Sequence, residues 1–87
     1  MVSKITKVTN EMGFHMRPAN VFVTAMTKYT SNINIIVGDK KINGKSIMNI
    51  MAACIKCGTE ITVECDGADE QAMLDEAIAL IESGFGE

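Results

Sequence analysis

Between Glu60 and Asp66 the chain alternates without a break. Ile61, Val63 and Cys65 fall on one face, and Glu60, Thr62, Glu64 and Asp66 on the other. Successive side chains of a strand point to opposite sides. A run of this kind is buried on one face and wet on the other, which calls for an antiparallel sheet covered by one layer. The remaining residues have to supply that layer. The chain has 87 residues, enough for one domain spanning 1–87. A domain of that size buries only about two thirds of its unfolded surface.

Residues 2–9 are rich in Val, Ile and Thr and read as a strand. Residues 10–13 form a loop. From 18 to 29, Ala19, Phe22, Met26 and Tyr29 recur at spacings of three and four, which predicts an amphipathic helix. Residues 33–37 and Lys40–Asn43 read as strands joined at Gly38-Asp39, two residues that tolerate positive φ. Ser46 is a good N-cap for a helix from 47 to about 55, with Gly58 as its stop. Asp69 caps a last helix, whose Leu74, Ala77, Ile78 and Ile81 form one apolar stripe, and Gly84 ends it. The order β-α-β-β-α-β-α defines an α+β fold: a two-layer sandwich of four antiparallel strands under three helices. Its first six elements also fit a split βαβ, ferredoxin-like layout, and the pattern leaves the strand order open.

Hydrophobic residues are 47% of the chain and charged residues 22%, a composition that folds rather than stays disordered. The net charge of −3 argues against direct nucleic-acid binding. No apolar run reaches the ~18 residues of a membrane span, so no membrane insertion is expected. The N-terminus lacks the apolar core of a signal peptide. Cys54, Cys57 and Cys65 are an odd number of cysteines, which points to a reducing cytoplasm rather than a disulfide framework. Cys54-Ile55-Lys56-Cys57 is a C-x-x-C. With Cys65 and His15 it lacks the second close pair of a zinc set, and a redox role has equally little local support. No metal or cofactor is expected. Cys65, on the apolar face of its strand, reads as a small hydrophobe.

One segment concentrates chemistry. Gly13-Phe14-His15-Met16-Arg17-Pro18-Ala19 holds the chain's single His, Arg and Pro. An imidazole is a neutral nucleophile near pH 7 and can form a phosphoramidate with an activated phosphoryl group. Pro18 marks a helix start, where backbone N–H groups and the positive dipole end favour phosphoryl oxygens. Arg17 adds charge-assisted hydrogen bonds. The alternative is structural: a loop His that caps a helix or packs against the fold, and an Arg17 paired with Glu11 or with an acid of the last helix.

Two motifs make the chain resemble the HPr family, the histidine-containing phosphocarriers of the sugar phosphotransferase system. Gly13, His15, Arg17, Pro18 and Ala19 match the motif around the family's phosphorylated His. Residues 39–48 end in the Lys45-Ser46-Ile47-Met48 signature of its regulatory serine. The resemblance spans the whole chain. It implies an open-faced β-sandwich and a carrier rather than a stand-alone enzyme. His15 would accept a phosphoryl group on Nδ1 from phosphorylated enzyme I and pass it to sugar-specific enzyme IIA domains. Arg17 and the amides of Met16 and Arg17 would hold the oxygens. It also implies phosphorylation of Ser46 by HPr kinase/phosphorylase and a link to carbon catabolite regulation through a catabolite-control transcription factor. A monomer is expected. The second reading is an HPr paralogue that works mainly as a Ser46-phosphorylated corepressor, with little transfer through His15.

The chain departs from the family pattern at Met12, Phe14, Met16, Asn20 and Asn49. The first three imply a bulkier, more apolar loop around the nucleophile, with altered partner choice or rate. From Ile47 to Ile55 only Asn49 is polar, so the second helix is either fully buried or presents an apolar face. Ile47, Met48 and Met51 are the candidate docking residues, since Met adapts to several partners.

Overall fold

A computed structural model describes residues 1–86. The elements are β1 (Val2–Lys7), α1 (Met16–Met26), β2 (Asn32–Val37), β3 (Lys40–Asn43), α2 (Ile47–Ala53), β4 (Glu60–Asp66) and α3 (Glu70–Glu82), closed by a 3-10 turn at Gly84–Gly86. The sheet runs β1-β4-β2-β3 with every neighbouring pair antiparallel. Strand β4 lies between β1 and β2, so β1-α1-β2 is a split βαβ unit, and the order left open by the pattern is resolved.

Register carries the alternation of β4 across the sheet. Val63 pairs with Ile35 and Cys65 with Ile33, all four buried. Phe22 and Met26 of α1 and Met73, Ala77 and Ile81 of α3 cover this face with no exposed surface. On the opposite face Ile5, Thr62 and Ile36 lie in register beside water. The α3 stripe of Leu74, Ala77, Ile78 and Ile81 is buried throughout.

Four boundaries differ from the sequence reading by two residues or more. Helix α1 starts two residues before Pro18, because none of the first-turn nitrogens has an intrahelical acceptor and proline is tolerated at any of them. It ends at Met26, where Thr27 Oγ1 donates to the Thr24 carbonyl (2.9 Å) and takes up a last-turn acceptor. Tyr29 therefore lies beyond the helix, and its hydroxyl donates to Glu76 (2.6 Å). Strand β1 stops at Lys7, although Val8 N–H still donates to the Thr59 carbonyl (3.0 Å). Helix α2 stops at Ala53, two residues short of the expected end near 55. Cys54 takes a left-handed conformation (φ +54°) and Ile55 turns into the core at 3% exposure. Burying Ile55 outweighs the cost of a non-glycine residue in that conformation.

Asp69 sits at the N-cap position of α3, but its side chain does not cap the helix. Its carboxylate instead accepts from Thr30 N–H (3.0 Å), Ser31 N–H (2.9 Å) and the Ser31 hydroxyl, tying the turn after α1 to α3.

Candidate functional site

The loop before α1 is built to point one side chain out. Gly13 N–H donates to the Asn10 carbonyl (3.0 Å), and Asn10 Nδ2 donates back to the Gly13 carbonyl. This tight turn places Gly13 at φ +66°, against the Ile55 carbonyl and the Lys56 backbone. A Cβ there would collide with both, so the position needs glycine on steric as well as conformational grounds. Phe14 N–H then donates to the Ile55 carbonyl (2.9 Å).

The Phe14 ring turns inward. It is 3% exposed and packs edge-on against Phe22 (5.6 Å between centroids) and Phe85 (4.9 Å). Expected to add to a bulky, apolar loop around the nucleophile, Phe14 is instead the core anchor of that loop. Burying an aromatic ring favours the inward rotamer, and its neighbour is directed away from the core.

That neighbour, His15, is the N-cap of α1 with extended backbone (φ −86°, ψ −172°), and its imidazole does not cap the helix. The His15 carbonyl accepts from Ala19 N–H (3.0 Å). Met16 and Arg17 occupy the first two helical positions, where amides have no carbonyl one turn back. Pro18 follows with no N–H at all. Two donors at the positive end of the helix dipole thus lie next to the imidazole. Arg17 is exposed. Among the described residues, no ion pair joins it to Glu11 or to an acid of α3, so that structural alternative is not realised. His15 lines a depression of about 430 Å³ with Asn10, Met12 and Gly84. Met12 and Met16 are 70% and 61% exposed, so the apolar character expected around the nucleophile comes from these two and not from Phe14.

Ser46 is the N-cap of α2, and here the side chain is engaged: Oγ accepts from Asn49 N–H (3.2 Å). The apolar helix divides its residues. Ile50 is fully buried, Ile47 and Met51 are half-buried, and Met48 is 82% exposed. Cys54 and Cys57 are exposed free thiols, while Cys65 is buried, and burial pushes its thiol up to about 11. Among the described residues, no group of three or more His, Cys, Asp or Glu has the spacing to hold a metal ion. No described helix is long and apolar enough to cross a membrane.

The sequence reading missed Asn10 and Ile55, which fix the loop from its two sides. Asn10 had a signal: Asn at the first position and Gly at the fourth is a β-turn pattern. Ile55 had none, because its carbonyl acts through backbone that any residue could supply.

Sheet order, helix placement and a histidine at the start of α1 define the class of small open-faced sandwiches that serve as phosphocarriers. Residues 2–83 match the family described as PTS HPr component phosphorylation site. The phosphocarrier protein HPr of Mycoplasma capricolum is 46% identical over 79 residues, covering 82% of this chain and 89% of that protein. The HPr-like protein Crh of Bacillus subtilis is 35% identical over 82 residues, covering 94% and 96%. The crystal structure of HPr-C-His from Thermoanaerobacter tengcongensis superposes with a TM-score of 0.96 at 37% identity, covering 100% and 98%. The chain belongs to the HPr family of phosphocarrier proteins of the phosphotransferase system.

Proposed function

We propose that this chain is a single HPr domain that carries a phosphoryl group on His15. The observation that supports this best is the arrangement at the start of α1: a nucleophilic imidazole at the N-cap, not used as a cap, beside the amides of Met16 and Arg17. The Nδ1 lone pair attacks phosphorus on phosphorylated enzyme I. The N–P bond to His15 forms as the donor's bond to phosphorus breaks, and the reverse exchange delivers the group to an enzyme IIA domain. The two amides and the Arg17 guanidinium hold the oxygens during residence. No chemistry beyond this exchange is needed, so the protein is a carrier rather than a catalyst, and it works as a monomer. Met48, with Ile47 and Met51 at its sides, is the docking face.

Ser46 is the regulatory position in this reading. HPr kinase/phosphorylase would esterify its Oγ, and the phosphate would sit at the N-terminus of α2, where negative charge is favourable. The fold survives, while the added charge next to Met48 disfavours acidic partners. A catabolite-control transcription factor is the expected partner of that form. A second reading, the paralogue signalling mainly through Ser46, draws support from the exposed Met12 and Met16 beside His15 and from the likeness to Crh.

Incubation with phosphoenolpyruvate and enzyme I separates the two. The carrier acquires an acid-labile phosphate that His15→Ala lacks. An acid-stable phosphate that needs kinase and ATP, is absent from Ser46→Ala, and has no labile counterpart establishes the paralogue instead.

A further inference from the structure

The chain carries 7 methionines, and the fold sorts them. Met26 and Met73 have no exposed surface, and Met51 is half-buried. Met12, Met16 and Met48 are each more than half exposed. Met1 aside, every exposed methionine therefore lies beside His15 or at the start of α2. Met12 lines the depression that holds His15, and Met16 follows His15 as the first residue of α1. Met48 stands in the first turn of α2, two residues after Ser46, and α1 packs against α2. Among the described residues, the other large apolar side chains left outside are Ile5 and Val21. Leucine would offer a partner a similar apolar volume. What methionine adds is flexibility and a thioether that can be oxidised. A thioether needs no deprotonation to react, so access to solvent ranks the seven sulfurs.

We propose that Met12, Met16 and Met48 form an oxidisable set, with a hydroperoxide as oxidant, that lowers the affinity of the two helix starts for protein partners. In each, a sulfur lone pair attacks one peroxide oxygen and the O–O bond breaks. The sulfur gains that oxygen and becomes a sulfoxide. The other oxygen leaves with both electrons of the broken bond, takes up the proton carried by the transferred oxygen, and departs as water or an alcohol. A thiol-dependent sulfoxide reductase returns the thioether. The change turns an apolar tip into a strong hydrogen-bond acceptor, and an apolar contact made there would bury that oxygen unpaired. The core is spared, because Met26 and Met73 are shut away from the oxidant. The His15 imidazole is untouched, so docking changes and the transfer step does not. The effect on docking rests on the proposed carrier function, while the order of oxidation does not.

The test uses the full wild-type chain, untreated or treated with hydrogen peroxide, with sulfoxides located by peptide mass spectrometry. Met12, Met16 and Met48 are expected to oxidise well ahead of Met26 and Met73, with the urea midpoint unchanged. The Kd for enzyme I, read by titration calorimetry, should rise about tenfold. The KM for phosphate uptake should rise with it at unchanged kcat, and a sulfoxide reductase should restore both. Met12→Leu/Met16→Leu/Met48→Leu, compared with its own untreated sample, should not respond. Cys54 and Cys57 are exposed and remain in that variant, so a response there assigns the effect to thiols and overturns the proposal. It is equally overturned if Met26 or Met73 oxidises as fast as the three, if the midpoint falls, or if the oxidised chain binds enzyme I as tightly as the untreated one. A chain that binds enzyme I but takes up no phosphate overturns the carrier function alone, since calorimetry reads docking without transfer.

Discussion

At the start of α2 the cap residue spends its side chain on the helix: Ser46 Oγ accepts from Asn49 N–H. At the start of α1 the cap residue does not: the His15 imidazole makes no capping bond. The two starts are held in correspondingly different ways. Helix α1 is fixed from below, by Phe14 in the core and Gly13 on the Ile55 shelf. Helix α2 is fixed at its own end, by Ser46 and by the bond from Lys45 N–H to Asn43 Oδ1 (3.0 Å). A loop anchored through its backbone and a neighbouring aromatic ring does not need the His15 imidazole as a cap. A cap that also served as a modification site, as proposed for Ser46, would trade one role for the other.

The comparison breaks most visibly at Phe14. Phe14→Ala removes the aromatic anchor between Phe22 and Phe85 and should cost about 3–5 kcal/mol in urea unfolding. A loss under about 1 kcal/mol would mean that the ring does not hold the loop. Ser46→Ala comes next, at about 1 kcal/mol, since it removes only a cap. His15→Ser should move the other way, gaining about 0.5–1 kcal/mol by placing a hydroxyl acceptor at a cap that lacks one, while phosphate uptake is lost. A His15→Ser protein no more stable than wild type would show that the α1 start is already satisfied.

The third helix supplies a third kind of start, and the smallest effect. Asp69 occupies the cap position of α3 but ties the turn after α1. The Ser31 hydroxyl, followed by the Thr30 amide, holds its carboxyl at about 2, below the ordinary 3.8. A depressed folded value means that the stabilisation is present above the ordinary value and is lost as pH falls from about 4 towards 2. Glu70, lowered by the Gly67 amide, and Glu76, lowered by Lys28, act in the same direction. In urea midpoints measured from pH 7 to 2, Asp69→Asn should flatten the acid limb. An unchanged limb would place the acid sensitivity elsewhere.

The sheet was legible because alternation in β4 and the stripe of α3 are side-chain patterns, and side-chain patterns are what a sequence records. The His15 and Ser46 positions were legible for the same reason, each being a distinctive residue at a helix start. The loop that presents His15 was less so. Phe14 was read by its place in a motif, next to the nucleophile, whereas its burial depends on Phe22 and Phe85, far along the chain. Asp69 was read as a local cap, but the Thr30 and Ser31 donors that capture it lie 39 and 38 residues away. The end of α2 reads as about residue 55 with Gly58 as its stop, whereas Cys54 takes the left-handed position and Ile55 enters the core. In each case a tertiary contact overrode a local preference.

The central claim is that His15, the cap residue of α1 whose side chain makes no capping bond, does the chemistry, and phosphorus NMR of the wild-type protein after incubation with phosphoenolpyruvate and enzyme I reads it most directly. The account predicts one acid-labile signal from an Nδ1 phosphoramidate, absent in His15→Ser and retained in Ser46→Ala. A signal that survives His15→Ser, or a wild-type protein that takes phosphate only on Ser46 from kinase and ATP, would contradict it.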